Sequence, residues 1–221
     1  NGAGAEGQNA RNALASGNYD VVVLTEAIPL AEHIRYSNAN GAALNYFNLA
    51  VLSNPDAQVY MYETWHGFNL AGIDGNPAAW RQRILDDAAQ WESIVDHVNA
   101  NRPEGTKPML LVPAGQAMVK LHDAIEAGQV PGVNSITELF SDDIHLTDVG
   151  MYFVAVVMFA TIFGTDPSGL TNQTTNQWGG NFPAPSAQMA DAFQKIAWDT
   201  VNEYDRDGVN DGGGSPAPVN P

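Results

Sequence analysis

A short run of β-branched residues near the start of the chain constrains the fold more than any other feature. Residues 19–26 read YDVVVLTE, with three consecutive valines. An unbroken apolar run of this kind is typical of a parallel strand that is buried on both faces, because helices cover both sides of such a sheet. Residues 58–63 and 108–113 are two further short apolar runs, and they predict two more strands.

Segments with helical patterns separate these runs. In residues 77–100 the apolar side chains recur at steps of four and three and form one stripe, at Trp80, Ile84, Ala88, Trp91, Val95 and Val98. Further helices are expected over residues 10–16, 41–53, 116–127, 146–163 and 187–204. The alternation of strands and helices predicts an α/β fold with a parallel sheet. The chain has 221 residues, enough for one domain with a core, and we place that domain at residues 1–204.

The composition excludes several classes of partner. Asp and Glu total 25 against 9 Lys and Arg, a net charge of -16, which opposes binding to nucleic acids and to anionic membranes. The longest apolar run, residues 152–163, is shorter than a membrane span. The chain contains no cysteine, so a disulfide and a thiolate metal site are both excluded. We expect no catalytic metal and no cofactor.

Residues 205–221 differ in composition from the rest of the chain. They are acidic at first and then rich in Gly and Pro, which predicts a linker or tail. In residues 205–211 (DRDGVND) possible oxygen ligands occur at alternate positions, as in a calcium-binding loop, but the distal Glu of an EF-hand is missing. Calcium binding therefore stays open at this point.

The sequence DDIH at residues 142–145 is the strongest candidate for chemistry. Asp142 lies three residues before His145, on a loop that opens an apolar helix. A carboxylate at this spacing can hold one ring nitrogen, which leaves the other free to take a proton from a hydroxyl nucleophile. The structural alternative is an acidic helix N-terminus beside a surface histidine.

Polar residues also follow two of the predicted strands. Glu26 ends the first, and Glu63, Trp65 and His66 follow the second. Because the carboxyl ends of parallel strands meet at one edge of a sheet, we expect Glu26 and Glu63 to face the same cleft as His145 and to bind substrate. An exposed Trp65 beside that cleft would suit stacking on a sugar. The alternative is that the carboxylates bond locally and that the tryptophan is simply packed.

The order of these blocks resembles the SGNH (GDSL-like) hydrolase family. The family's final block is D-x-x-H after the last strand, and Asp142, His145 and the following Gly150 match it; residues 25–26 (TE) and 62–65 (YETW) resemble a bacterial branch. The resemblance covers roughly residues 7–170. It implies a three-layer flavodoxin-like parallel sheet and a Ser-His-Asp triad. It also implies a secreted or periplasmic bacterial serine esterase that acts on acyl esters, with carbohydrate O-acetyl groups as the favoured substrate.

The chain departs from that family at the nucleophile. None of its nine serines follows a buried strand and opens a helix, and Ser141 lies on the D-x-x-H loop itself. The oxyanion-hole glycine block is also not found. If residues 19–26 correspond to the family's third strand, the chain lacks the first two. We then expect the serine to lie outside the chain. We also expect the protein's own N-terminal segment or a neighbouring chain to complete the sheet; the alternative is that the chain has repacked.

Two other functions remain open from the sequence. The first is a non-catalytic relative that binds carbohydrate through Trp65 and the acidic strand ends. The second is a glycosidase-like enzyme in which Glu26 and Glu63 act as the acid and base pair. A serine-reactive phosphonate probe distinguishes them from the esterase, because it would label the esterase alone.

Overall fold

The computed structural model describes residues 5–209, apart from the side chain of Glu6. Within this range the elements are α1 Ala5–Ala15, β1 Val21–Leu24, α2 Leu30–Tyr36, α3 Ala39–Ser53, β2 Gln58–Tyr62, α4 Pro77–Asn101, β3 Leu110–Val112, α5 Ala114–Glu126, a 3-10 helix Ile136–Leu139, α6 Asp148–Phe163 and α7 Ala187–Glu203. The predicted elements are therefore present, with shorter strands than expected. The seven-residue α2 was not predicted, because it is too short to show a helical period.

The protein is α/β, with a small three-stranded parallel sheet in the order β1-β2-β3 and about 52% helix. β1 and β2 are parallel, with Val21 opposite Gln58 and Leu24 opposite Met61. The predicted class and the parallel sheet are thus confirmed.

The chain divides into two compact units. Unit 1 comprises the residues up to Glu63 together with Asp87–Leu111, and unit 2 comprises Thr64–Asp86 and the residues from Val112 onward. In unit 1, α3 packs against α1, α2 and β1. In unit 2, α7 packs against α5 and α6, and α5 also contacts the 3-10 helix.

The stretch 205–211, which resembles a calcium-binding loop, is described only as far as Val209. Its last two residues with side-chain oxygens, Asn210 and Asp211, lie outside the described part.

β1 is not buried on both faces, and this part of the prediction is wrong. Val22 is buried, whereas the side chain of Val23 is 37% exposed. β1 pairs with β2 on one side, and within residues 5–209 no strand pairs with its other side. The apolar run correctly identified a strand, but a strand at the edge of a sheet keeps part of its surface accessible.

Five of the six side chains in the apolar stripe of α4 are core, as predicted, and Ala88 is half-buried. Trp80, Trp91 and Val98 are fully buried along it, and Ile84 and Val95 nearly so. His122 is buried on α5. Its ring nitrogen Nδ1 lies 3.1 Å from Asp123 Oδ1, so a charged neighbour provides a hydrogen-bond partner for this nitrogen.

Within residues 5–209, no helix is both long and apolar enough to cross a membrane.

Candidate functional site

A tight loop carries Asp142 and His145. Phe140 and Leu146 form an isolated antiparallel bridge at its base, and the Ser141 amide donates to the His145 carbonyl over 2.8 Å. The loop ends at α6, whose first turn is capped by Thr147: its hydroxyl accepts a hydrogen bond from the Gly150 amide. The sequence LTDVG that follows DDIH thus supplies a helix start that fixes the end of the loop.

Gly150 has a steric reason for being glycine. A β-carbon at this position would lie 2.6 Å from the backbone oxygen of Leu139. The same oxygen accepts hydrogen bonds from the Thr147 amide (2.8 Å) and hydroxyl (3.1 Å). The close approach of α6 to this carbonyl therefore holds both ends of the loop together.

Asp142 is fixed by the backbone of its own loop. Its Oδ1 accepts hydrogen bonds from the amides of His145 (2.7 Å) and Ile144 (2.9 Å). Its Oδ2 lies 2.7 Å from His145 Nδ1, within the range predicted from the D-x-x-H spacing. The His145 amide contributes most, then the Ile144 amide and the His145 ring, and together they lower the pKa of Asp142 to about 2.

This geometry determines the tautomer of the neutral histidine. An ionised carboxylate only accepts hydrogen bonds, so Nδ1 of His145 carries a proton and donates a hydrogen bond to Asp142. In the neutral ring, Nε2 then presents a lone pair. The His145 side chain is 77% exposed, and within residues 5–209 no hydrogen bond to Nε2 occurs. The imidazole is therefore oriented and accessible at the nitrogen that a general base uses.

The segment that follows β2, residues 65–68, holds the backbone of the loop by hydrogen bonds. The Trp65 indole donates to the Ile144 carbonyl over 3.0 Å, and the Phe68 amide donates to the Asp143 carbonyl over 2.8 Å. A β-carbon on Gly67 would lie 2.7 Å from a carboxylate oxygen of Asp143. Two hydrogen bonds and one close approach thus hold the middle of the DDIH loop.

An aromatic cluster lies at the base of the loop. The ring of Phe140 makes edge contacts with Trp65, Phe68 and Trp80, at centroid distances of 6.2, 5.0 and 5.8 Å. Phe68 and Trp80 are stacked at 5.0 Å, and the Trp80 indole donates to the His66 carbonyl over 2.8 Å. Rigid, buried rings of this kind give the catalytic candidates a firm support.

Trp65 and His66 do not form an exposed substrate platform. Trp65 is only 7% exposed and His66 is buried as well. The expectation of an accessible indole at Trp65 is therefore wrong. The reason is that the indole N–H finds a partner in the Ile144 carbonyl, so the ring can be buried at no polar cost. A role of these residues in binding substrate stays a prediction.

The two glutamates lie at the ends of neighbouring strands in unit 1. The Thr25 hydroxyl donates to the Tyr62 carbonyl over 3.1 Å, so the strand ends stay adjacent, and continuing the register places Glu26 opposite Glu63. Glu63 is 1% exposed. Burial raises the pKa of Tyr62, and the negative charge of Glu63 raises it further.

Glu26 differs from Glu63 in being accessible. Its Oε1 accepts from the Ala27 amide over 2.8 Å and lies 3.8 Å from Nδ1 of His33. It also lines a groove of about 520 Å³ along the free side of β1, whose other walls come from α1 and α3. The prediction that Glu26 and Glu63 share a cleft with His145 stays a prediction.

Ser141 is not placed as a nucleophile. Its hydroxyl donates to the His145 carbonyl over 3.0 Å, which is a structural bond within the loop. Ser135 and Ser186 cap helices, and Ser93 bonds within α4. Within residues 5–209, no group of three or more His, Asp or Glu side chains could hold a metal ion.

Sequence reasoning missed the most accessible aromatic residue of the described part, Trp178. Its side chain is 83% exposed, the largest exposure among the exposed large hydrophobic residues of the described part. A signal was present, because Trp178 lies in an amide-rich stretch without charged residues and precedes two glycines.

No protein-family model matches the chain, and no curated protein or solved structure shows significant similarity to it.

Proposed function

We propose that the protein is a serine ester hydrolase of the type that its sequence resembles, acting on acyl esters and above all on carbohydrate O-acetyl groups. The observation that carries the proposal is the Asp142–His145 pair. The carboxylate is held by two backbone amides and holds Nδ1, while Nε2 stays accessible. Backbone amides also hold the acidic side chain at many helix starts, but the added contact of its second oxygen with an accessible histidine ring is what a general base requires.

The pair performs two steps in this mechanism. Nε2 of His145 takes the proton of a serine hydroxyl as its oxygen attacks the ester carbonyl carbon, and then gives that proton to the leaving alcohol. Nε2 next takes a proton from water, whose oxygen attacks the acyl carbon, and gives that proton to the serine oxygen as the bond to the acyl group breaks and the acid leaves. Asp142 stabilises the imidazolium in both steps and remains ionised itself.

The nucleophile is proposed to lie outside Asn1–Pro221, since no serine of this chain follows a buried strand and opens a helix.

We also propose that the sheet belongs to a three-layer flavodoxin-like fold. In a flavodoxin-like sheet of order 2-1-3-4-5, the observed β1-β2-β3 would be strands three to five, and two more strands would add beside β1. The accessible side of β1 and the apolar groove along it support this arrangement.

The test measures hydrolysis of a short-chain acyl ester by the full-length gene product, together with labelling by a fluorophosphonate. We expect His145→Ala to lower turnover by several powers of ten while the circular dichroism spectrum stays unchanged. His97→Ala, a substitution of a half-buried histidine on α4, is the matched control and should retain turnover. Turnover by His145→Ala within a few-fold of wild type would rule out the base.

The same experiment separates the rivals. A glycosidase-like enzyme would cleave a glycosidic bond, lose activity in Glu26→Gln or Glu63→Gln and not react with the phosphonate. A non-catalytic relative would show neither turnover nor labelling. Labelling of a serine, lost in His145→Ala, is expected from the esterase alone.

A further inference from the structure

An uncharged segment lies between α6 and α7. From residue 167 to residue 190 the chain contains no Asp, Glu, Lys, Arg or His, although its net charge is -16 and 15% of its residues are charged. Instead, the middle of the segment reads TNQTTNQWGGN, residues 171–181. Threonine hydroxyls and amide groups dominate residues 171–181, and Trp178 is the one aromatic residue among them.

This segment forms a hairpin that we call the Trp178 hairpin, residues 170–186. Thr175 and Asn181 form an antiparallel bridge, and the Phe182 amide donates to the Thr174 carbonyl over 3.0 Å. At the other end, Asn172 Nδ2 donates to the Pro185 carbonyl over 2.8 Å. The hairpin is therefore closed along its length by bonds of its own.

Asn176 fixes the tip of the hairpin. Its side-chain oxygen accepts hydrogen bonds from the amides of Trp178 (3.0 Å) and Gly180 (2.9 Å). Its backbone amide donates to the Gly180 carbonyl over 2.8 Å, and Gly179 has a φ of +81°, which glycine adopts without strain. The backbone that carries Trp178 is thus ordered before any ligand arrives, and this lowers the entropy cost of binding.

The exposed groups at the tip are an indole and two amides. Trp178 is 83% exposed, and its neighbours Gln177 and Asn181 are exposed too. Within residues 5–209, the side chains of Gln177 and Asn181 make no hydrogen bond, so their donors and acceptors face water. A large indole that is exposed on an ordered backbone, with free amide groups beside it, is available to stack on a ligand and to hydrogen-bond to it.

The chemistry of this surface selects its ligand. A nucleic acid or an anionic lipid surface requires Lys or Arg, and the segment has neither. A protein interface places its tryptophan within an apolar core, whereas Trp178 is flanked by Gln177, two glycines and Asn181. The other exposed apolar side chains of the hairpin, Leu170 and Phe182, are only 38% and 39% exposed. A sugar ring offers a flat C–H face to the indole and hydroxyls to amides, and carries no charge.

We propose that the Trp178 hairpin is a binding site for an uncharged polysaccharide. The indole of Trp178 stacks on the face of a sugar ring, and the amides of Gln177 and Asn181 hydrogen-bond to its hydroxyls. The proposal does not rest on ester hydrolysis, because neither Asp142 nor His145 takes part. It assigns to Trp178 the role that the sequence suggested for Trp65.

The test is co-sedimentation and affinity electrophoresis of the full-length protein with cellulose, xylan, mannan, chitin and starch, and with polygalacturonate as a charged polymer. We expect binding to at least one uncharged polysaccharide that persists in 0.5 M salt. Trp178→Ala should weaken it by about tenfold or more, and Trp178→Tyr should retain most of it.

Two controls make the result decisive. Tyr36→Ala removes another exposed aromatic side chain, 73% exposed on α2 of unit 1, and should leave binding unchanged. Asn176→Ala removes the acceptor for the Trp178 and Gly180 amides and should weaken binding while Trp178 is still present. Absence of binding to all five uncharged polysaccharides, or equal binding by Trp178→Ala and wild type, would overturn the proposal. Salt-sensitive binding to polygalacturonate alone would overturn it too.

Discussion

Replacing Asp142 by Asn tests the orientation of His145 most directly. The Asn side chain has nearly the same shape, and its oxygen can still accept from the Ile144 and His145 amides. The third bond must change, because the amide nitrogen donates where Oδ2 accepted. Nδ1 then becomes the acceptor, the ring proton moves to Nε2, and the lone pair that serves as the base is lost.

The magnitude follows from these bonds. With a pKa of about 2, Asp142 is protonated in only ~10⁻⁵ of molecules at pH 7, so the wild-type carboxylate is always an acceptor. In Asp142→Asn the atom that faces Nδ1 is an amide nitrogen, which only donates hydrogen bonds. A wrong tautomer of this kind costs about 10⁴-fold in turnover, while the fold should be unchanged because two of the three hydrogen bonds survive.

The assay is long-range ¹H–¹⁵N NMR of the His145 ring, with ester hydrolysis in parallel. Wild type should show the proton on Nδ1, and Asp142→Asn on Nε2. Asp143→Asn, a substitution of the neighbouring carboxylate with the same loss of charge, should leave the tautomer and the rate unchanged. An Nδ1 proton that persists in Asp142→Asn, or turnover within about tenfold of wild type, would refute the reasoning.

Three further predictions concern the loop and its support. The pKa of Asp142 is lowered, so the stability it contributes is complete above about pH 4 and lost as the pH falls through about 2; a carboxyl ¹³C titration should have its midpoint near 2, not 4. Gly150→Ala should destabilise by about 2 kcal/mol in urea unfolding. The overlap of the new β-carbon with the Leu139 backbone oxygen costs about 3 kcal/mol, and the higher helix propensity of alanine offsets about 1 kcal/mol of that cost. Gly41→Ala, which meets only a side-chain amide, should cost less than half as much. Trp65→Phe should cost about 1–3 kcal/mol, since it leaves the bonded carbonyl of the loop unpaired, whereas Trp178→Phe should change stability by less than about 0.5 kcal/mol.

Local patterns determined most of the secondary structure and the contact between Asp142 and His145. The steps of three and four along α4 predicted its buried stripe, because helical geometry puts such residues on one face. The D-x-x-H spacing predicted the Asp142–His145 contact, because three residues of one short loop bring the two side chains within reach. Both interactions are short-range, so the sequence contains the information that fixes them.

Only the tertiary structure decided which side chains are accessible. The sequence could not place Trp65 in the core and Trp178 in solvent, because an indole is equally suited to both. Trp65 is buried because the Ile144 carbonyl, far away in the chain, accepts its N–H. β1 has the composition of a strand buried on both faces, yet the face that carries Val23 is exposed. For these side chains, exposure depends on contacts between distant segments, which their local sequence patterns do not record.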